Sequence, residues 1–278
     1  MPSLFRLAGK EPQLISLMLL SAFAVMGAII MTPALPQISY HFNTSVGYTQ
    51  LVVTVFLLGY SLGQLLYGPL ANRYGRKPAL YFGIVIASLG SIFSILSSPT
   101  DSFLLLILGR FLESIGASGG LAVSFTIIND YYYENEARRI TAALMLAFAI
   151  IPGIAIAMGG FLVQYFDWRA CFYFLLGYGF LLFYFARQLP ETLLEKDVRA
   201  MRMSHVLSGY RNKLLNQKLV GFAMISGISS GCIYVFGAEG PFIGIHYLKV
   251  SPALRHNYLN YYPILEPLKT ILIAPLLA

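Results

Sequence analysis

Charge is what this sequence has least of. Only 11% of its 278 residues are Asp, Glu, Lys or Arg, against roughly 25% in an ordinary soluble domain. Residues 14–35, 48–72, 79–100, 140–166, 170–186 and 219–238 contain none of the four, and residues 102–129 contain only Arg110 and Glu113. Hydrophobic residues make up 57% of the chain, more than a soluble protein of this size has interior to enclose. Most of the uncharged runs reach the ~18–20 apolar residues that a bilayer-spanning helix requires. The chain therefore reads as an all-α integral membrane protein with seven spans.

Reactive side chains are also scarce. The two cysteines, Cys171 and Cys232, both fall in predicted spans. No disulfide or metal spacing is present, and both are expected to be free, buried thiols. The four histidines, His41, His205, His246 and His256, are scattered over predicted loops. No histidine cluster, nucleophile elbow or metal-ligand spacing occurs in or near the spans, so an enzyme is the reading with least support and no cofactor is implied.

The charge that is present is one-sided. With the N-terminus in the cytoplasm, the inner segments hold fourteen Lys and Arg, from Arg6 and Lys10 through Arg73, Arg76 and Lys77 to Lys218. The outer segments hold three, Arg169, Lys249 and Arg255. This is the positive-inside pattern, and it accounts for the net charge of +7 without a nucleic-acid partner. Arg6 and Lys10 precede an apolar run of about 22 residues. A secretory signal has a shorter core and a cleavage site, so this run is read as an uncleaved first span, with lipid as its surroundings.

The connections have a rhythm. The outer ones are brief, 97–101 and 165–169, while the inner ones alternate between a tight basic turn after span two and the longer NDYYYENEARR after span four. A polar stretch of about residues 187–218 follows span six. The organisation expected is a six-helix bundle at 1–188, a cytoplasmic linker at 189–217, and a partial second bundle at 218–278 holding span seven and a poorly formed eighth. Six-helix halves built from two inverted three-helix repeats are common in secondary transporters. A seven-helix receptor also shows seven spans, but usually places its N-terminus outside.

Several motifs then carry a resemblance. GPLANRYGRKP after span two resembles the loop signature of the major facilitator superfamily, and LGRFLESIG in span four is similar to its Arg-x-x-x-x-x-Gly element. PALPQIS, GQLLYGP, DWRACFYF, LPETL and GPFI, in that order, resemble the Bcr/CflA drug-resistance branch, from about Leu14 to Pro252. The resemblance implies a six-helix N-terminal bundle plus one or two helices of a C-terminal half. It also implies a proton-driven exporter of drugs or other small organic molecules in the bacterial inner membrane, with the proton gradient as energy source.

Within that frame the basic loop, Gly68, Asn72, Arg73, Gly75 and Arg76 together with Asp130, is expected to act as a conformational latch bracing one state. The turn is expected to rest on Gly68, Pro69 and Gly75, because glycine permits unusual φ/ψ and close packing. The family commonly has an acid where this chain has Asn72, so a weaker latch is expected, short of one charge-assisted bond worth ~1.5–3 kcal/mol at most. The alternative is that the loop is only a positive-inside anchor.

Arg110 and Glu113 fall about seven and ten residues inside span four, hence ~10–15 Å into the membrane. Three apart on a helix, they share a face. An isolated charge at that depth is costly, so such residues pair, face a cavity and serve a function. The resemblance implies that Arg110 lines a central cavity and takes part in proton coupling, and Glu113 is the candidate titrating group. A structural ion pair is the alternative. The branch commonly has an Asp four residues before the proline of PALP, and here that position is Ile29. Glu239, near the outer end of span seven, is a further acidic candidate, with an interfacial location as its other reading.

Span five contains Pro152, a kink candidate, and Gly153, Gly159 and Gly160, which allow close helix approach. Together they resemble part of an antiporter motif, with Ile156 where a second proline belongs. Gly116 to Gly120 in span four carry the same packing reading, and Tyr131 to Tyr133 read as an interfacial belt. After Pro252 the resemblance fails. Pro263, Pro267 and Pro275 with Glu266 and Lys269 make a poor span, and the expectation is a truncated chain, or a partial transporter that pairs with a missing C-terminal half. The small-molecule substrate is not legible.

Overall fold

The computed structural model describes residues 11–246, with side chains described to Cys232 apart from Ala147 and Ser230. Among the described residues every regular element is helical. The chain divides into two compact units, residues 1–230 and residues 231–278. Of the second, the backbone described is the helical stretch to His246.

Helix α1 (Leu14–Ile29), a 3-10 turn (Thr32–Ala34) and α2 (Leu35–His41) make the first span. A single turn, α3 (Val46–Thr49), leads into α4 (Leu51–Tyr74). Then follow α5 (Arg76–Leu96), α6 (Phe103–Tyr131), α7 (Glu134–Tyr165) and α8 (Arg169–Gln188). These six stretches are long and apolar enough to cross a membrane. The linker expected at 189–217 contains α9 (Met203–Leu214), which buries none of its residues. The seventh uncharged run is helical too, as α10 (Gln217–His246). The expected eighth span lies outside the described residues.

Local signals set the ends. Ser102 caps α6, its hydroxyl accepting from Leu105 N at 3.3 Å, and Ser45 caps α3 in the same way, which satisfies a donor left over in each first turn. The expected turn at Gly68, Pro69 and Gly75 is narrower than the sequence implies. Gly68 and Pro69 lie inside α4, where a Cβ on Gly68 would meet nothing within 4 Å. Gly75 alone reverses the chain, at φ +118°, a conformation that side-chain-bearing residues rarely adopt.

Helix α6 is the spine of the bundle. Its glycines bring backbones together: a Cβ on Gly116 would sit 2.3 Å from Ala87 N of α5, and one on Gly120 would sit 2.1 Å from Leu20 O of α1. The packing reading of Gly116–Gly120 is therefore the one the structure supports. Leu17, Leu20, Val52, Phe56, Leu80, Leu106 and Phe172 fill the interior. The outside is apolar as well, with Leu58, Leu62, Leu66, Phe82, Leu104 and Phe180 each more than half exposed. Such a surface is what lipid contacts, and water does not tolerate patches of that extent.

Candidate functional site

Two arginines organise the polar interior of the first unit. Arg110 is fully buried on α6, and its Nη1 donates to Glu113 Oε2 at 2.8 Å, also at 0% exposure. The other donors are used as well. Nη2 donates to Gly27 O of α1 at 2.8 Å and Nε to Val52 O of α4 at 3.3 Å. The Phe56 ring lies 4.2 Å from the guanidinium carbon, and Phe172 of α8 closes the far side at 5.9 Å. One cation thus ties together four helices through hydrogen bonds and ring faces.

The expectation that Arg110 lines a central cavity concerns a wall that lies outside the described residues. The Arg110 side chain is enclosed by helices of this bundle and has no exposed surface. The pairing expected from the i,i+3 spacing is present. Only one carboxylate oxygen is satisfied, however, since Glu113 Oε1 accepts no hydrogen bond. Position 29 places a buried isoleucine near this site, beyond Gly27 on α1, so the carboxylate facing Arg110 comes from Arg110's own helix.

The second arginine, Arg76, starts α5 directly after Gly75. Its Nε donates to Asp130 Oδ2 at the C-terminal end of α6, 2.9 Å away, and its Nη1 donates to Asn72 Oδ1 at 2.7 Å. The amide at 72 is therefore an acceptor for the same guanidinium that Asp130 neutralises. All the residues expected at the latch except Gly68 and Arg73 meet at this point, and Arg73 reaches instead to Val198 O.

Sequence reasoning missed the partner that completes it. Glu191, in the LPETL that follows α8, accepts from Arg76 N at 2.8 Å and Lys77 N at 3.0 Å, capping the first turn of α5. Thr192 donates to Asp130 Oδ2 at 2.9 Å, Lys77 Nζ donates to Arg187 O, and Asp197 N donates to Asn72 O. A Cβ on Gly75 would lie 2.7 Å from the Glu191 carboxylate. The residues after α8 thus form a strap across the basic turn. The one available signal was the acid in LPETL, a carboxylate that exposed helix-start amides attract.

Other expectations fare unevenly. Helix α7 runs unbroken through Pro152. A Cβ on Gly159 would come 2.2 Å from Ile30 O, so Gly159 is a packing glycine, whereas Gly153 and Gly160 face open space. Tyr131 and Tyr132 are buried and stack edge to face, and only Tyr133 is exposed. Tyr132 OH donates to Pro12 O at 3.2 Å, which ties it to the segment before α1. Both cysteines are free, but Cys232 is exposed, not buried. Glu239 lies on α10, and its side chain is outside the described residues.

Buried charges in a bundle with an apolar exterior define an α-helical membrane protein of several spans. Residues 17–269 match the Major Facilitator Superfamily. An uncharacterized transporter of Rickettsia bellii is 32% identical over 81% of this chain and 54% of its own length. Multidrug resistance protein D of Escherichia coli is 29% identical over 86% of this chain and 62% of its own. A crystal structure of the POT family transporter PepTSo shares the fold at 17% identity, with a TM-score of 0.54 over 84% of this chain and 52% of that one. The chain belongs to the Major Facilitator Superfamily, and it spans a little over half the length of these curated relatives.

Proposed function

We propose that these helices form one half of a proton-driven exporter of drugs or other small organic molecules, in a bacterial inner membrane with the N-terminus in the cytoplasm. The observation that carries the reading is the Arg110–Glu113 pair, fully buried in a transporter-family bundle. Ionisable residues at such depth are costly and mark ion pathways. The likeness to Escherichia coli multidrug resistance protein D supports the substrate class. Glu113 takes and releases the coupled proton, and Arg110 holds its charge between events. Glu239 on the seventh helix is a second acidic candidate.

The latch acts on the conformational equilibrium. Arg76, Asn72 and Asp130 tie the inner ends of α4, α5 and α6, and contacts made in one state alone bias the population toward it. Residues 189–217 lead from this bundle to α10. A single half cannot rock against itself, so this chain alone is expected to export nothing.

The test uses inside-out vesicles from an efflux-deficient strain. They carry this chain alone, or together with the second six-helix half of the Escherichia coli relative. Uncoupler-sensitive accumulation of rhodamine 6G with both halves, and none with one, is the expected result. Accumulation that ignores the uncoupler contradicts proton coupling. No accumulation with both halves inserted contradicts the exporter and favours a membrane assembly role.

A further inference from the structure

A buried polar atom without a hydrogen bond calls for an explanation, and three such atoms lie along the contact between α5 and α6. They are Glu113 Oε1, Ser91 Oγ and Ser94 Oγ, all on residues at 0% exposure. The two serines sit one turn apart on α5, at its contact with α6. A Cβ on Gly109 would come 2.5 Å from Ser94 Oγ, so that hydroxyl points at α6 one turn outward of Glu113. A Cβ on Gly90, next to Ser91, would come 2.3 Å from Glu113 N, so this turn of α5 packs directly on the turn of α6 that carries Glu113.

The series continues outward. Ser97 Oγ, also at 0% exposure, donates to Ser94 O at 2.6 Å, and Thr100 Oγ1 donates to Leu96 O at 2.8 Å with a longer contact to Ser97 O at 3.3 Å. Thr100 is exposed at the outer turn. Hydroxyls therefore recur every third residue from the surface to the carboxylate. Three helical residues rise about 4.5 Å, so Thr100 to Ser91 covers about 13.5 Å. That matches the depth of Glu113, ten residues from the outer end of α6. Steps of three turn back about 60° around the helix, so the series winds along α5 instead of running straight.

We propose that this hydroxyl series is the proton's entry route from the outer face to Glu113. The inference rests on the proposed function, since it gives the coupling proton a way in. Single water molecules bridge the steps, satisfying Ser91 and Ser94 together, as buried waters do between orphaned polar groups. The proton passes from hydronium at Thr100, through Ser97, Ser94 and Ser91, to Glu113 Oε1. Each hydroxyl accepts one proton and releases its own, so the serines are unchanged. Oε2 stays bonded to Arg110 throughout. Among the described residues, the ionisable groups acting on Glu113 are Arg110 on its own helix and the Cys171 thiol from α8. The first and fourth helices present only the Gly27 and Val52 carbonyls and the Phe56 ring to this pair.

The experiment reads Glu113 itself, without a substrate. Purified chain in right-side-out liposomes is followed by infrared absorption of the protonated carboxyl group after a rapid external pH drop. The Glu113 band is assigned by its loss in Glu113→Gln. Expected is a band that rises in the unsubstituted chain and rises about tenfold or more slowly in Ser91→Ala and in Ser94→Ala. Ser88→Ala, on the same helix but against Gly179 of α8, leaves the rate unchanged. A band that rises at the same rate in both α5 variants overturns the route while leaving Glu113 as the proton carrier. A band absent from the unsubstituted chain overturns the coupling role of Glu113 and the route with it. The two serine variants are independent, and each removes one oxygen and no packing volume from a neighbour, so one that fails to insert leaves the other to decide.

Discussion

Two arginine–carboxylate pairs hold this bundle, with nearly the same geometry and opposite surroundings. Arg110 and Glu113 meet at 2.8 Å with no exposure on either side. Arg76 and Asp130 meet at 2.9 Å with 7% and 23% of their side chains exposed. The first pair is three residues apart on one helix and is surrounded by backbone carbonyls and rings. The second joins two helices and is shared among Asn72, Glu191 and Thr192. Both guanidiniums have further partners, so burial, more than distance, separates the two pairs. Removing one member of the enclosed pair leaves a charge without access to water, whereas the partly exposed pair can be resolvated when it parts.

The sharpest way to break that contrast is to remove one charge from each pair. Arg110→Leu strands Glu113 in the interior and is expected to cost about 3–5 kcal/mol. Thermal unfolding in detergent checks this, and the double variant Arg110→Met, Glu113→Leu should recover most of the loss. If the double variant is no better than the single one, the cost comes from packing and the contrast fails.

At the Arg76 turn, Glu191→Ala exposes the capped amides and should cost about 1 kcal/mol. Hydrogen exchange should accelerate at Arg76, Lys77 and Leu193, all of which donate to that carboxylate, and leave Glu113 untouched. Asn72→Asp supplies the missing charge. It should slow exchange at the same amides by an amount worth at most about 1 kcal/mol at this partly exposed site. No change would mean that Asp130 already saturates Arg76.

The smallest effect belongs to the turn between α7 and α8, which serves as the exposed reference. Arg169 donates to Asp167, and this hydrogen bond holds the carboxyl below its ordinary value. The stabilisation is present above about pH 4 and is lost as the pH falls through the lowered folded value. Asp167→Asn should therefore cost a few tenths of a kcal/mol at neutral pH and nothing in strong acid, as urea unfolding at the two pH values would read.

The spans were legible because lipid imposes one composition on all of them. The uncharged runs agree with α1, α4, α5, α6, α7, α8 and α10 to within a few residues at most ends. The Arg110–Glu113 contact was legible from its spacing. What the guanidinium's other donors find was not, because Gly27 O and Val52 O are backbone atoms, which every residue carries. Nor was the strap, since Glu191 and Arg76 are 115 residues apart and only the fold brings them together. The glycines of span five read as one motif, yet Gly159 alone meets a neighbour. Helix periodicity shows which residues share a face, and the partner decides which of them are used.

The central claim is that Glu113 exchanges its proton for substrate, and proton release on ligand binding tests it most directly. In weakly buffered detergent solution, adding tetraphenylphosphonium to the chain paired with the Escherichia coli second half should release close to one proton per cation bound. Glu113→Gln should bind the cation and release none. Equal release from both proteins would contradict the account.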